Sequence, residues 1–360
     1  MITKINVEGF KLHAKTSIDA KPITIFIGPN NSGKSSLIQA IQLLCQTSPE
    51  KNIFIPEVKK LEETSAYLSP YKIDVGRFED VIRKESATIG IKLRGNINGS
   101  GLSLEVTIEN NEVKPSGGRD FLFQGIAKKL LASCYFIYPL RGFEEAGYLL
   151  PDQPPEKYST LENVTLNDRI VALIAAFAYN ANLRKEVAQE LSQIMGYGID
   201  IDIQWIGSNR VTILLKQPAN TLMVNEGSGF QQMIFILLPL ILIPDNSTVF
   251  IQEPEAHIHP KAQVDLGRLL IKFLKKKNIQ LFIETHSEHI LHAFIHSIAK
   301  KDISNNELAV YYFENKEGRA EVRNIEVDKL GRVKGGFPGF FDQSLNELTE
   351  FLEAIRGREK

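Results

Sequence analysis

The chain has 360 residues, of which 43% are apolar and 24% are charged, a composition typical of a globular protein with a hydrophobic core and one or two domains. Its 42 basic and 43 acidic residues leave a formal net charge of -1, which excludes a protein-wide positive field that would attract nucleic acid. The two cysteines have no ligand-like spacing, so we expect a reducing, cytoplasmic setting and no disulfide framework. The longest apolar run, residues 233–244, contains two prolines and is shorter than the roughly 20 residues of a membrane-spanning helix.

The first third of the chain predicts strands around one glycine-rich loop. Alternating or continuous apolar runs mark the predicted strands, which lie at residues 2–7, 12–18, 22–27, 88–93, 102–108 and 134–138. The third strand runs directly into the segment from Gly28 to Ser35, and a helix with apolar residues at helical spacing follows. The sequence therefore predicts the order strand, loop, helix at this point.

The rest of the chain predicts a helical segment and then an alternation of strands and helices. A helical pattern covers residues 161–195 after a proline-rich loop at 151–155, and short strands follow at 199–203, 211–215 and 221–224. The last third predicts strands at 249–251 and 280–283, helices at 261–275 and 288–299, a hairpin at 310–313 and 320–325, and a final helix at 346–355. Such alternation implies an α/β fold with a parallel sheet covered by helices.

The loop Gly28-Pro29-Asn30-Asn31-Ser32-Gly33-Lys34-Ser35 has the spacing of a P-loop. Its backbone N–H groups, together with the N-terminus of the following helix, are suited to cradle phosphate oxygens. Lys34 would place a positive charge on the β- and γ-phosphates, and the Ser35 hydroxyl would bind magnesium. The expected cofactors are ATP and Mg²⁺, with the nucleotide held by Gly28, Asn30, Asn31, Ser32, Gly33, Lys34, Ser35 and Ser36.

Polar residues end two predicted strands of the last third. Gln252 and Glu253 end the first of these strands, at the sheet edge where α/β proteins bind ligands. An acid ordinarily stands at the position of Gln252 and holds magnesium, whereas Glu253 is placed as the general base for the attacking water. His286 follows the next strand and can hydrogen-bond the γ-phosphate or that water without being charged. We expect Lys34, Glu253 and His286 to be catalytic, and Ser35 and Gln252 to lie at the metal.

A second glycine-rich turn, Gly227-Ser228-Gly229, precedes the apolar run at residues 230–243. The Ser228 hydroxyl and the first amides of the predicted helix form a nest suited to an anion. Alone, the motif is equally typical of an ordinary helix N-cap. Its order in the chain, after the P-loop and before Glu253, favours a contact with nucleotide.

Four motifs occur in chain order: the P-loop, the Ser228 turn, the strand that ends at Glu253, and His286. Motifs in this order resemble those of ABC-type ATPases of the group that includes chromosome-maintenance and DNA-repair ATPases. The amino-acid sequences of five segments are similar to those of the overcoming-lysogenization-defect (OLD) family. These segments are residues 74–78, 138–141, 225–229, 253–260 and 284–289. The tail at 336–342 resembles a small C-terminal region of unknown function found in one branch of these ATPases. The resemblance covers about residues 1–345.

The resemblance implies the head of an ABC-type P-loop ATPase: a mixed β-sheet core with helices, an antiparallel β subdomain and an inserted helical lobe. The implied division is an N-terminal ATPase lobe at 1–140, the helical lobe with flanking strands at 141–220, a C-terminal ATPase lobe at 221–330 and a small region at 331–360. It also implies a homodimer, or a higher even oligomer, with ATP between two heads. Ser228 and Gly229 would contact the γ-phosphate of the partner's ATP, His259 would lie between subunits, and Arg141, at the position of the Q-loop glutamine, would sense phosphate or magnesium.

Two departures from the family pattern leave alternatives open. Gln252 in place of an acid favours slow hydrolysis, and a nucleotide-binding scaffold is one alternative. Full-length OLD nucleases also carry a Toprim nuclease domain, whose acidic pair has its only counterpart here in Asp200-Ile201-Asp202, a pattern better explained as a solvated strand face. We expect an ATPase that dimerises around ATP and regulates a separate effector, as similar subunits do in anti-phage defence systems such as Septu and PARIS. A DNA-repair or nuclease-associated ATPase that acts on DNA is the other alternative.

Overall fold

The structure is a computed structural model that describes residues 1–46, 78–97, 99–109, 112–116, 130, 133–139, 147–150, 174–217 and 220–334. The strands are β1 Ile2–Phe10, β2 His13–Asp19, β3 Ile23–Ile27, β4 Ile89–Ile97, β5 Ser100–Glu109, β6 Glu112–Ser116, β7 Cys134–Ile137, β8 Tyr148–Leu149, β9 Asp200–Ile206, β10 Arg210–Gln217, β11 Thr221–Leu222, β12 Thr248–Gln252, β13 Gln280–Glu284, β14 Leu308–Lys316 and β15 Arg319–Ile325. The helices are α1 Lys34–Gln46, α2 Phe78–Val81, α3 Ala181–Met195, α4 Ser228–Leu242, α5 Pro260–Lys277 and α6 Glu288–Ala299.

The central sheet has the strand order β15-β14-β3-β13-β12-β7. All neighbours in it are parallel except the β14–β15 hairpin. Strands β3, β12 and β13 are buried along their whole length, which is typical of parallel strands with both faces covered. The predicted parallel sheet is confirmed. Its register pairs Gln252 with Glu284 and Glu284 with Phe26, so the polar ends of β12 and β13 lie beside the end of β3.

A second, antiparallel sheet has the order β2-β1-β4-β5-β6, which confirms the predicted antiparallel β subdomain. Helix α1 lies in the core between the two sheets, because its Leu37 and Ile41 share one apolar cluster with Ile5 of β1 and Phe282 of β13. Burial of this kind stabilises a folded chain by about 25 cal/mol per Å² of apolar surface. The helix that starts at the P-loop is therefore held on both sides.

A third sheet joins β9, β10, β11 and β8, next to helix α3. Helix α3 begins where the Asn180 side chain accepts a hydrogen bond from the Leu183 amide, and it ends at Gly196, which has a left-handed φ of 78°. Residues 174–195 confirm the second half of the predicted helical segment, whereas 151–173 lie outside the described residues. The predicted strand 221–224 is shorter than expected, because Met223–Asn225 form a 3₁₀ turn before α4.

The division into four regions stays a prediction, because its boundary at 140–146 and most of 331–360 lie outside the described residues. The final helix at 346–355 lies there too. Within the described parts of the chain, no helix is both long and apolar enough to cross a membrane.

Candidate nucleotide site

The P-loop joins β3 to α1, and its backbone requires both glycines. Gly28 has a φ of 139°, and a Cβ there would lie 2.1 Å from the Phe313 carbonyl oxygen of β14. Gly33 has a φ of 102°, and a Cβ there would lie 3.2 Å from the His13 ring and 3.1 Å from the Ala320 Cβ. Glycine adopts such conformations without a side-chain clash. The loop is thus packed tightly against β2, β14 and β15.

Lys34 is buried inside the loop. Its Nζ donates hydrogen bonds to the carbonyl oxygens of Gly28 at 2.9 Å and Pro29 at 2.7 Å, and to Ser32 Oγ at 3.3 Å. Burial lowers the pKa of Lys34, and three carboxylates oppose that shift, in decreasing order of effect those of Glu284, Glu253 and Glu255. The ammonium is therefore enclosed by the loop itself, and the three carboxylates act on it.

The other predicted residues of the loop are arranged around this lysine. Asn30 and Asn31 are exposed at the tip, and Ser36 is half-buried in the first turn of α1. Asn31 has a φ of 56°, and its carbonyl oxygen accepts a hydrogen bond from Asn315 Nδ2 at 3.0 Å. The loop tip thus stays open to solvent while its base is buried.

Glu284, at the end of β13, connects the P-loop to β12. Its Oε1 accepts a hydrogen bond from Ser35 Oγ, and its Oε2 accepts one from Gln252 Nε2 at 2.8 Å. The residue is 1% exposed, and this burial raises the pKa of its carboxyl group, while the hydrogen bonds from Ser35 and Gln252 and the charge of Lys34 lower it. The sequence pattern predicted Ser35 and Gln252 together at the metal but did not indicate Glu284. Its position at the end of the strand between β3 and β12 is the signal that could have found it.

Glu253 follows β12 in a strained conformation. Its φ is 44°, a value uncommon for a residue other than glycine and often found at functional sites. Its amide donates to the Glu284 carbonyl oxygen at 2.8 Å. The side chain is half-buried, and its charge affects the pKa values of Lys34, Glu284 and His286. The structure therefore gathers Glu253 with the other charged groups of the site.

Glu255 fixes the segment that carries His286. Its Oε2 accepts a hydrogen bond from Thr285 Oγ1 at 2.7 Å, and its Oε1 accepts one from the His286 amide at 2.5 Å. Burial and the charge of Lys34 lower the pKa of His286, and Glu253 opposes this, so the imidazole is neutral at pH 7. The sequence analysis missed Glu255 as part of the site.

Ser228 lies in the first turn of α4 and is exposed. Gly227 precedes it as the N-cap without a side-chain hydrogen bond. At Gly229, a Cβ would lie 2.2 Å from the His257 carbonyl oxygen, so this turn rests on the loop that follows Glu253. His259 is exposed and caps α5 by accepting a hydrogen bond from the Lys261 amide at 3.3 Å.

The remaining predicted site residues lie elsewhere. Arg141 is outside the described residues. Asp200 and Asp202 both lie on the exposed face of β9, and Asp202 Oδ1 accepts a hydrogen bond from the Ile203 amide at 2.8 Å. Among the residues that the structure describes, no group of three or more His, Cys, Asp and Glu side chains is placed to hold a metal ion. The exposure of both carboxylates agrees with the predicted solvated strand face.

The donors around the P-loop suit magnesium bound with a nucleotide. The Ser35 hydroxyl and the Glu284 carboxylate offer hard oxygen atoms, which Mg²⁺ prefers, and one or two protein oxygens suffice when phosphates and water complete the shell. The parallel sheet, the glycine loop, the buried lysine and the acids at one sheet edge together define a P-loop ATPase head of the ABC type.

The chain belongs to the AAA ATPase domain family, whose model matches residues 1–131 and 159–291. A second family, a protein of unknown function (DUF3696), matches residues 303–351 and overlaps the predicted C-terminal region. The OLD nuclease of Thermus scotoductus is 22% identical over 99% of this chain and 71% of its own length. The endonuclease GajA of Bacillus cereus is 26% identical over 50% of this chain and 28% of its own length. The OLD nuclease among these relatives bears out the resemblance to the OLD family that the motifs predicted.

Other relatives agree on the fold. An ATP/GTP phosphatase of Helicobacter pylori is 20% identical over 88% of this chain and 99% of its own length. The SMC head domain from Thermotoga maritima has a TM-score of 0.52 at 13% identity, covering 91% of this chain and 99% of that domain. An SMC head bound to the C-winged helix domain of ScpA has a TM-score of 0.59 at 13% identity, covering 91% and 98%. These likenesses confirm the predicted ABC-type head.

Proposed function

We propose that the chain binds and hydrolyses ATP, that two copies dimerise around the nucleotide, and that this cycle regulates a separate effector in anti-phage defence. The observation that carries the proposal is the convergence of Lys34, Ser35, Glu284, Glu253 and His286 at one edge of the central sheet. The ATP/GTP phosphatase relative supports the hydrolytic part. The nuclease relatives support an effector that acts on nucleic acid.

Each chemical role that ATP hydrolysis needs has a residue to perform it. Lys34 would hold the β- and γ-phosphates and offset the negative charge that develops on them. Glu253 would accept the proton of the attacking water, and neutral His286 would donate a hydrogen bond to the γ-phosphate. Magnesium, when bound, would neutralise phosphate charge. These residues lie in one chain, so a single copy can bind the nucleotide before it dimerises.

The dimer accounts for the position of Ser228. Ser228 is exposed in the first turn of α4, and anions bind well at such a helix N-terminus. The γ-phosphate of ATP on a second copy would be the anion. Because Gly229 packs against the loop after Glu253, binding of an anion at this turn would affect the position of that loop.

Light scattering with and without Mg-ATP tests the dimer. We expect the mass of the wild-type protein to rise with Mg-ATP, and the rise to be lost in Lys34→Ala, which cannot hold the phosphates, and in Ser228→Arg, which blocks the turn. Ser208→Arg, at an exposed serine between β9 and β10, is the matched control and should keep the rise. A monomer whose mass does not change with Mg-ATP would contradict the proposal.

The effector is tested in cells. Expressed together with the genes that flank its own, the chain should lower the number of plaques that a phage forms on the host. Lys34→Ala should restore the plaques, because the nucleotide cycle is lost. Equal protection by the wild type and by Lys34→Ala would show that defence does not require the nucleotide cycle, which contradicts this part of the proposal.

A scaffold with negligible turnover is the second candidate, and Gln252 is the observation that favours it. The amide cannot supply the charge that an acid would place at the metal. Clear ATP hydrolysis by the wild-type protein would exclude the scaffold. If Gln252→Asp hydrolysed ATP and the wild type did not, the scaffold would be the better account.

A further inference from the structure

The structure provides a carboxylate beside the position where the sequence lacks one. Residue 252, which is ordinarily an acid in such ATPases, is a glutamine, and Glu284 lies next to it on β13. We propose that Glu284 supplies the carboxylate that holds the magnesium ion of bound ATP, together with the Ser35 hydroxyl. This inference rests on the proposed ATPase function and moves the metal-binding acid to a different strand.

The sheet places Glu284 one strand closer to the P-loop than residue 252. Strand β13 lies between β12 and β3, and Glu284 pairs with Phe26 near the end of β3. From there its Oε1 accepts the hydrogen bond from Ser35 Oγ. The Ser35 hydroxyl and the Glu284 carboxylate, which would both bind the magnesium ion, are thus joined by a hydrogen bond. Of the carboxylates that act on Lys34, that of Glu284 has the largest effect.

Gln252 acts behind this carboxylate. Its Nε2 donates to Glu284 Oε2 at 2.8 Å, and an amide N–H group binds a carboxylate rather than a cation. Hydrogen bonds of this kind orient metal ligands in proteins. Gln252 is therefore a positioning residue, and its amide suits this place better than a second acid, which would repel Glu284.

The neighbouring acids have other roles. Both oxygens of Glu255 accept hydrogen bonds from the segment of His286, and Glu253 follows β12 as the general base. Glu284 is 1% exposed, and a charge so buried needs compensation. Lys34 supplies part of it, and a divalent cation would supply the rest.

Calorimetric titration of ATP, once with excess Mg²⁺ and once with EDTA, tests the assignment without any turnover. The wild-type protein should bind ATP more tightly with magnesium. In Glu284→Gln, ATP in EDTA should bind at least as tightly as to wild type, because a negative charge near the phosphates is gone. The magnesium-dependent gain should fall by about 10- to 100-fold, the range seen when even outer partners of a metal are removed.

Two further variants make the result specific. The exchange Gln252→Glu with Glu284→Gln returns an acid to the site and should restore part of the gain. Glu190→Gln makes the same chemical change at a buried carboxylate of α3 that pairs with Lys272 rather than with the P-loop, and it should keep the gain. If magnesium increased the ATP affinity of Glu284→Gln as much as that of the wild type, this inference alone would be overturned. Wild-type protein that binds no ATP in either condition would overturn the proposed function and this inference together.

Discussion

His13 links the first hairpin to the P-loop. Its Nε2 lies 2.9 Å from the Gly33 carbonyl oxygen, and its Nδ1 lies 2.8 Å from Thr16 Oγ1. Because a carbonyl only accepts, Nε2 carries the proton and Nδ1 accepts from the Thr16 hydroxyl. The ring is fully buried, and this burial lowers the pKa of His13 to about 4. The imidazole is therefore neutral when it supports the loop.

We expect this histidine to make the stability of the protein depend on pH. Its pKa is about 4 in the folded protein and about 6.5 in the unfolded chain, so between these values the unfolded chain binds more protons. The contribution of His13 to the free energy of unfolding should then be fully present above pH 6.5. It should decrease toward pH 4, by up to about 1.4 kcal/mol per pH unit. Urea unfolding across this range measures the slope.

The variant His13→Gln isolates that contribution. Glutamine can still donate to the Gly33 carbonyl but does not titrate, so its slope between pH 6.5 and 4 should be shallower than that of the wild type. Other histidines affect both proteins equally. Identical slopes would show that His13 does not carry the effect.

At the scale of single residues, the sequence predicted the order of strand, loop and helix around the P-loop, but not which acids lie beside it. Lys34, Ser35 and Gly28 follow from spacing alone, because a P-loop is a local structure. The contact between Glu284 and Ser35 joins residues far apart in the chain and depends on the register of β13 beside β12 and β3. No local pattern determines that register, so the sequence predicted the metal at Gln252 without reference to Glu284, and the metal at Gln252 stays a prediction.

At the scale of elements, helix α4 and the loop after β12 are in direct contact. A Cβ at Gly229 would lie 2.2 Å from the His257 carbonyl oxygen. His257 itself has a φ of 59°, so the loop is already constrained and has little freedom to move away. The same loop begins at Glu253.

We expect Gly229→Ala to destabilise the protein by about 1–3 kcal/mol, the usual cost of forcing extra volume into a packed contact. ATP hydrolysis should decrease as well, because the displaced loop carries Glu253. Gly101→Ala, on β5, is the matched control, since a Cβ there has nothing within 4 Å, and it should change stability by less than about 0.5 kcal/mol. Urea unfolding of both variants checks this, and equal losses would contradict the contact.

The elements themselves were largely predictable. Short apolar runs predicted strands β12 and β13, and apolar residues at helical spacing predicted helices α5 and α6. Both predictions are confirmed, because the burial of each element is reflected in its own run of residues. The pairing of β8 with β10, and the extension of the first hairpin by β4 and β5, involve distant segments. Such pairings follow from packing of the whole chain rather than from any one run of residues.

At the scale of the whole molecule, β13 connects the two sheets to the site. At its start, Gln280 Oε1 accepts a hydrogen bond from the Ile2 amide and Gln280 Nε2 donates to the Ile2 carbonyl oxygen, both at 2.7 Å. At its end stands Glu284. The antiparallel sheet is therefore fixed to the strand that carries the proposed metal ligand, and α1 fills the core between the sheets.

The central claim is that this chain hydrolyses ATP with Glu253 as the base. ATP hydrolysis and ATP affinity should be measured side by side for the wild type, Glu253→Gln and the exposed control Glu8→Gln. We predict that Glu253→Gln lowers the hydrolysis rate by about 10²- to 10⁴-fold and does not weaken ATP binding, whereas Glu8→Gln changes neither the rate nor the affinity. A Glu253→Gln protein that hydrolyses ATP at the wild-type rate would contradict the account.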